Sequence, residues 1–310
     1  MTTDKLDLTL DELCTNDTLV KVVGMGNVTE ILHMQHRNTK PTIKMLEGGD
    51  RYVNLATGEI LPIQKHNTRA DQRNSLYRTF QNARALINAN VTNVEYVRWC
   101  TLTYRENMTD TKRLYEDFKN FWKRFLYYCK KKGYSKPEYI VMMEPQGRGA
   151  WHAHLLIIWQ DMKAPYIPNE EFAELWQQGF VKIKKLDDVD NVGAYLTAYL
   201  GDMEIQDVNV LSNTQYKLKE VEIEENGQKV KKSYIKGARL ELYPANFNMI
   251  RHSKGIKQPT EEYMAYGDAK KKVLGATKTF ENTVQISDDE NGFSNIVSKA
   301  YYNSTRKEKQ

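Results

Sequence analysis

The spacing of apolar positions changes repeatedly between residues 68 and 200, and each change marks an element. From Thr68 to Asn90, Leu76, Phe80, Ala83, Leu86 and Ile87 recur at helical spacing, with Arg69, Arg73, Arg78 and Arg84 on the remaining surface. Val94 to Tyr104 is rich in β-branched and aromatic residues and predicts a strand. Thr109 or Asp110 then caps a helix whose buried stripe is Leu114, Phe118, Phe121, Phe125 and Tyr128, and Gly133 ends it. Tyr139–Glu144 and Trp151–Trp159 read as strands. The short Pro-Gln-Gly-Arg-Gly-Ala connector between them predicts an antiparallel hairpin. A short helix over Asn169–Gln178 stops at Gly179, and Phe180–Leu186 alternates as a further strand. Asp188 or Asp190 caps a last helix carrying Tyr195 and Tyr199. The order β-α-β-β-α-β-α predicts an α+β fold, a mainly antiparallel central sheet with flanking helices, and not a doubly wound dinucleotide fold.

Outside this stretch the pattern is weaker. Residues 1–30 are polar with a few apolar residues, punctuated by Asn16, Asp17, Gly24 and Gly26. Lys217–Glu224 and Gln228–Ile235 flank Asn226-Gly227, a hairpin signal, and residues 236–257 are rich in basic side chains. From about Gly275 the chain is polar and weakly patterned, which predicts a partly mobile tail. The expected organisation is an N-terminal extension over 1–90 and a core over 91–205. A β-hairpin and basic segment packed on that core follow over 206–270, with a tail over 271–310.

Composition narrows the class. Of 310 residues, 40% are hydrophobic and 27% charged, as in a soluble globular protein. Lys and Arg number 45 against 40 Asp and Glu, with a pI near 8.8, an excess that suits a polyanionic partner only if the basic residues cluster. Cys14, Cys100 and Cys129 are far apart and read as reduced thiols, the usage of a cytoplasmic protein. No apolar run approaches the roughly 20 residues of a membrane span, and the polar N-terminus lacks a signal-peptide core, so no membrane partner is expected.

The chemistry concentrates in Glu144–Trp159. Side chains at i and i+2 of a strand share a face, so His152 and His154 project side by side, continued by Leu156 and Ile158. Trp151, Ala153, Leu155, Ile157 and Trp159 make the other face apolar, which predicts a strand covered on both sides. Two buried imidazoles on one face suit a divalent metal, against the reading of core histidines bonded to backbone. Glu144 completes an open shell if the hairpin is right; otherwise it is a carboxylate at a strand end on the surface. A redox iron held by two histidines and a carboxylate is the competing chemistry, and it leaves the tyrosines without a role.

Tyr195 and Tyr199, four apart, fall on one helical face. A phenol with a pKa of roughly 10 is a weak nucleophile at neutral pH. It can attack a phosphodiester that is held and partly neutralised by a metal, giving a covalent enzyme–phosphate ester. The ordinary reading of either tyrosine is packing on a half-buried helix, and the pair becomes specific only beside the histidines.

These motifs carry a resemblance. His152-Ala-His154 resembles the His-hydrophobic-His motif of the HUH endonuclease superfamily. Trp99-Cys-Thr-Leu-Thr103 is similar to the first motif of rolling-circle replication initiators, and Tyr195-Leu-Thr-Ala-Tyr199 to the tyrosine motif of their two-tyrosine branch. The three occur in the family's order over roughly residues 94–202, and Lys254-Gly-Ile-Lys257 extends the likeness to about residue 260. The group most resembled is the replication-associated proteins of small bacterial plasmids and single-stranded DNA phages.

The resemblance implies an endonuclease and strand transferase that nicks one strand of an origin. The tyrosine becomes linked to the 5′-phosphate, a 3′-hydroxyl is left for a polymerase, and the strand is rejoined at termination. His152, His154 and Glu144 match the metal ligands, and Tyr195 and Tyr199 the nucleophiles. The implied ion is Mg²⁺ or Mn²⁺. Imidazoles alone argue for a softer metal, which favours Mn²⁺ in binding assays and Mg²⁺ as the cellular ion. Partners are single-stranded or hairpin DNA at an origin, and a host helicase and DNA polymerase, since no Gly-x4-Gly-Lys-Ser/Thr loop is present; a homodimer is also compatible.

Many relatives place a lysine three residues after each tyrosine, where this chain has Ala198 and Asp202. Lys182, Lys184 or Lys185 on the preceding strand is the expected substitute. Origin recognition is expected from Arg69, Arg73, Arg78, Arg251, Lys254 and Lys257, with exposed aromatics stacking unpaired bases. A relaxase or transposase would use the same chemistry, although relaxases place their tyrosines before the histidines. An inactive origin-binding regulator is the alternative from another class.

Overall fold

The computed structural model describes residues 2–37, 40–63, 68–70, 73–186, 191–193, 203–204, 218–225, 228–235, 238–288 and 292–306. The chain forms two units, one of Met1–His66 with Thr260–Gln310 and one of Asn67–Pro259.

The first unit begins with β1 (Thr2–Leu6), α1 (Leu10–Leu13), β2 (Leu19–Met25) and β3 (Val28–Met34), followed by a small sheet of β4 (Ile43–Met45), β5 (Arg51–Asn54) and β6 (Ile60–Pro62). β2 and β3 join through a two-residue turn in which Gly26 takes a φ of 63°, a backbone state that glycine adopts without strain.

The second unit contains α2 (Arg73–Asn90), β7 (Val97–Leu102), α3 (Thr111–Lys131), β8 (Glu138–Pro145), β9 (Trp151–Ile158), α4 (Asn169–Trp176) and β10 (Val181–Lys184). A separate three-stranded sheet follows, of β11 (Met203–Glu204), β12 (Leu218–Glu225) and β13 (Gln228–Ile235), and then β14 (Ile250–His252). The central sheet runs β10-β7-β9-β8-β14, every neighbouring pair antiparallel. This is the expected α+β fold with a mainly antiparallel sheet.

Each element has a local cause. The Asp110 carboxylate accepts hydrogen bonds from the Lys112 and Arg113 amides and so starts α3. Gly133, at φ 74°, reverses the chain after it. Phe121 and Phe125 of α3 pack with Phe172 and Trp176 of α4 against Cys100, Val141, Leu155 and Ile157. On the opposite face Leu86 and Ile87 of α2 pack on Val97, Ile140, Leu156 and Ile158. β9 is therefore covered on both sides, as its two apolar faces predict.

Boundaries moved where side chains intervene. Asn93 caps a single 3₁₀ turn over Val94–Tyr96, so the strand begins at Val97 and not Val94. α4 ends at Gln177, itself at φ 68°, and Gly179 is needed for a different reason. A Cβ there would lie 2.5 Å from the Thr103 carbonyl oxygen, where the chain passes the backbone of 103–105.

The C-terminal segment differs most from expectation. β15 (Thr260–Ala265), α5 (Tyr266–Lys272), β16 (Thr277–Asp288) and β17 (Phe293–Asn303) complete the first unit, whose sheet runs β1-β16-β17-β3-β2-β15. Residues 277–303 thus form a long hairpin inside a sheet, where a weakly patterned tail was expected. Thr283 and Ser298 are buried and hydrogen bond to each other at 2.7 Å, and the Thr283 hydroxyl lies 2.6 Å from the Leu8 carbonyl oxygen. Hydroxyls at interior positions make the strands read as polar. Among the described residues no helix is long and apolar enough to cross a membrane.

Candidate metal centre

The antiparallel register places Glu144 of β8 directly opposite His152 of β9, and Met142 opposite His154. Glu144, His152 and His154 consequently share the face that α2 covers. One donor atom from each of the three lies within 4.8 Å of the other two, the expected set. His154 Nε2 is 3.3 Å from Glu144 Oε2, and His152 Nε2 is 3.8 Å from Oε1. Glu144 is only 6% exposed, which removes the reading of a surface carboxylate.

Burial sets the protonation of this cluster. It holds His152 down to about 3, with His154 and Arg148 adding to the effect, and His154 down to about 4. Both imidazoles are neutral at pH 7 and keep a lone pair for a ligand. His154 Nδ1 lies 3.4 Å from Thr101 Oγ1, and Trp99 stacks on the His154 ring at 5.2 Å with the planes 2° apart. His152 is different: both its ring nitrogens are buried, and neither has a hydrogen-bond partner among the described residues. A buried imidazole without partners forfeits about 1–3 kcal/mol. That orphaned donor, with a carboxylate and a second neutral imidazole alongside, fits a divalent cation.

One partner of the site was not anticipated. The Arg239 guanidinium contacts the Glu144 carboxylate through Nη1 on Oε1. Arg239 lies in the 3₁₀ segment Ala238–Leu242 and is 9% exposed. Burial lowers its proton affinity, opposed by the nearby Tyr243, although a guanidinium stays charged in proteins. Nothing in the local sequence separates Arg239 from the other basic residues of 236–257; only the return of the chain to the sheet singles it out.

The remaining candidates fall in several places. Lys182 pairs with Thr101, which pairs with His154, so Lys182 lies in the same row of the sheet and on the same face. Lys184 pairs with Trp99 on that face, and Lys182, Lys184 and Lys185 are exposed. Arg69 is 6% exposed and donates to Ser75 Oγ and Thr79 Oγ1 at the start of α2, an internal use of its charge. Arg78, Lys254 and Lys257 are exposed, and the Arg251 guanidinium lies 3.4 Å over the ring of Tyr115. The Arg73 side chain, Tyr195 and Tyr199 lie outside the described residues. The chain just before the tyrosines is described: Gly193 donates its amide to Asn88 Oδ1 of α2 at 2.8 Å, and Val192 joins the core beneath α2. A Cβ at Gly193 would lie 2.4 Å from the Arg84 carbonyl oxygen, so glycine permits this close approach.

With this geometry in place, the comparisons with known proteins are specific. No curated protein and no solved structure matches the chain. Residues 97–204 match the family model described as replication-associated protein ORF2, a span that starts at β7 and holds the whole triad and both tyrosines. Across residues 97–204 this chain is a member of that replication-associated protein family.

Proposed function

We propose that this protein initiates rolling-circle replication by nicking one DNA strand at an origin, with Tyr195 or Tyr199 as nucleophile. The observation that carries the reading is the orphaned His152 beside His154 and Glu144, inside the span that matches a replication-associated family. Glu144, His152 and His154 would hold a Mg²⁺ or Mn²⁺ ion. Such an ion, when bound, withdraws charge from the non-bridging oxygens of a phosphodiester.

The chain's own residues supply the rest. A tyrosine oxygen forms the new bond to phosphorus, the P–O3′ bond breaks, and the departing 3′ oxygen takes a proton from solvent. The 5′-phosphate stays on the tyrosine, and reversal of the step rejoins the strand. Asn88 and Gly193 support the delivery of the tyrosines, because they tie the preceding segment to α2, which covers the triad face. Lys182 and Lys184 supply positive charge on that face, the role that lysines beside the tyrosines have in relatives. Unpaired origin DNA is the substrate class.

The test is covalent capture on single-stranded origin oligonucleotides with Mn²⁺. Wild type is expected to give a protein–DNA adduct resistant to denaturant, retained by at least one of Tyr195→Phe and Tyr199→Phe and absent from the double variant. An adduct in the double variant removes both tyrosines as nucleophiles.

A further inference from the structure

Arg239 is a buried cation whose described contacts leave it one acceptor. Its Nη1 meets Glu144 Oε1, its Nε is buried without a partner, and the neighbouring Tyr243 hydroxyl is likewise buried and unpartnered among the described residues. No other described carboxylate shares the guanidinium. Glu144, in turn, is the only charged ligand in a set whose other members are neutral imidazoles. The same carboxylate therefore answers to two cations, one built into the chain and one brought from solution.

We propose that Arg239 is the resident counter-charge of Glu144 and sets the affinity of the site for its divalent ion by competing for that carboxylate. The proposal rests on the reading that Glu144, His152 and His154 form a cation site. A carboxylate buried beside two uncharged rings needs a positive partner to remain ionised. Arg239 supplies it in the free protein through Oε1, while Oε2 stays turned toward His154. A divalent ion that reaches Glu144 meets the repulsion of a guanidinium held within the same few ångströms, in surroundings that screen charge poorly. The arginine thus keeps the ligand set assembled before the ion arrives, and it weakens the ion's hold afterwards. It acts through Glu144 and is a positioning residue.

The competition gives a sign that a merely structural arginine would not. Removal of the guanidinium should lower the melting temperature of the metal-free protein and tighten Mn²⁺ binding by about tenfold or more. Arg239→Met, Arg239→Lys, His152→Ala and wild type would be titrated with Mn²⁺ by electron paramagnetic resonance and melted with and without the ion. Arg239→Met should bind Mn²⁺ more tightly than wild type and gain more in melting temperature from it. Arg239→Lys, which keeps the charge, should stay near wild type. If Arg239→Met is too unstable to titrate, Arg239→Met/Glu144→Gln removes both charges and should regain metal-free stability without responding to Mn²⁺. Mn²⁺ binding by Arg239→Met equal to or weaker than wild type, or no recovery in the double variant, overturns the counter-charge role. Binding by wild type that survives His152→Ala instead overturns the cation-site reading itself.

Discussion

Thr101 Oγ1 lies 3.4 Å from His154 Nδ1, at a position where the register of β7 and β9 sets the two residues opposite each other. With the proton on Nδ1 and directed at the hydroxyl, the lone pair of Nε2 faces Glu144 Oε2. Thr101 belongs to the Trp-Cys-Thr-Leu-Thr motif, so a residue of one motif orients a ligand in another. Trp99 of the same motif stacks on the ring and limits its rotation.

Thr101→Val keeps the shape and removes the acceptor. Partners that orient metal-binding histidines typically contribute 10–100-fold to affinity, so Mn²⁺ binding should weaken by roughly tenfold or more while the far-ultraviolet circular dichroism stays unchanged. Unaltered Mn²⁺ affinity would remove Thr101 from the site.

His152 contributes a ligand and no hydrogen bond. His152→Leu should leave the metal-free protein as stable as wild type, or more stable by about 1 kcal/mol, because two unpartnered buried nitrogens disappear. The stabilisation that Mn²⁺ confers should vanish in the same variant. Urea denaturation with and without the ion measures both.

Lys182 and Lys184 share the face of the triad and are exposed. If they contact the phosphates of unpaired DNA, each neutralised phosphate contributes about −0.7 to the slope of log K against log salt. Lys182→Gln/Lys184→Gln should reduce that slope by about 1.4 on single-stranded oligonucleotides, with Mn²⁺ affinity nearly unchanged. A salt slope identical to wild type would place the DNA elsewhere.

The sheet depends on α3 more than on any loop. Phe121 is fully buried and packs edge-on to Phe172 and Trp176. Phe121→Ala should lose about 3–5 kcal/mol in chemical denaturation, since the cavity lies between a helix and two strands that cannot easily collapse.

Burial pushes the Cys14 thiol up to about 11 and Cys129 up to about 12, and raises Cys100 as well. All three are buried. A raised thiol pKa keeps the reactive thiolate scarce until the pH approaches that raised value. Native protein at pH 8 should therefore resist iodoacetamide, and denatured protein should take up three equivalents by mass spectrometry.

The core of the second unit was legible because its periodicities are clean. The stripe from Leu114 to Phe125 and the alternation across Trp151–Trp159 each admit one partner, a helix against a sheet face. His152 and His154 were legible for the same reason, since strand geometry places i and i+2 together whatever surrounds them. The first unit was not legible, because Thr283, Ser298, Asn295 and Asn303 are polar in sequence yet buried, satisfied by partners that only the assembled sheet provides.

What the sequence alone determined about this protein is its local order: the elements of the central sheet, the histidine pair, and the succession of motifs within 97–204. What only the tertiary structure decided is which distant residues meet. Arg69 turned inward to Ser75 and Thr79, Lys182 came into the row of His154, and Arg239 came to rest on Glu144 from 95 positions away. The physical reason is that periodicity encodes the face a residue occupies on its own element. The chemical partner across a sheet or beneath a returning segment is set by strand register and chain reversal, and these depend on the packing of the whole unit.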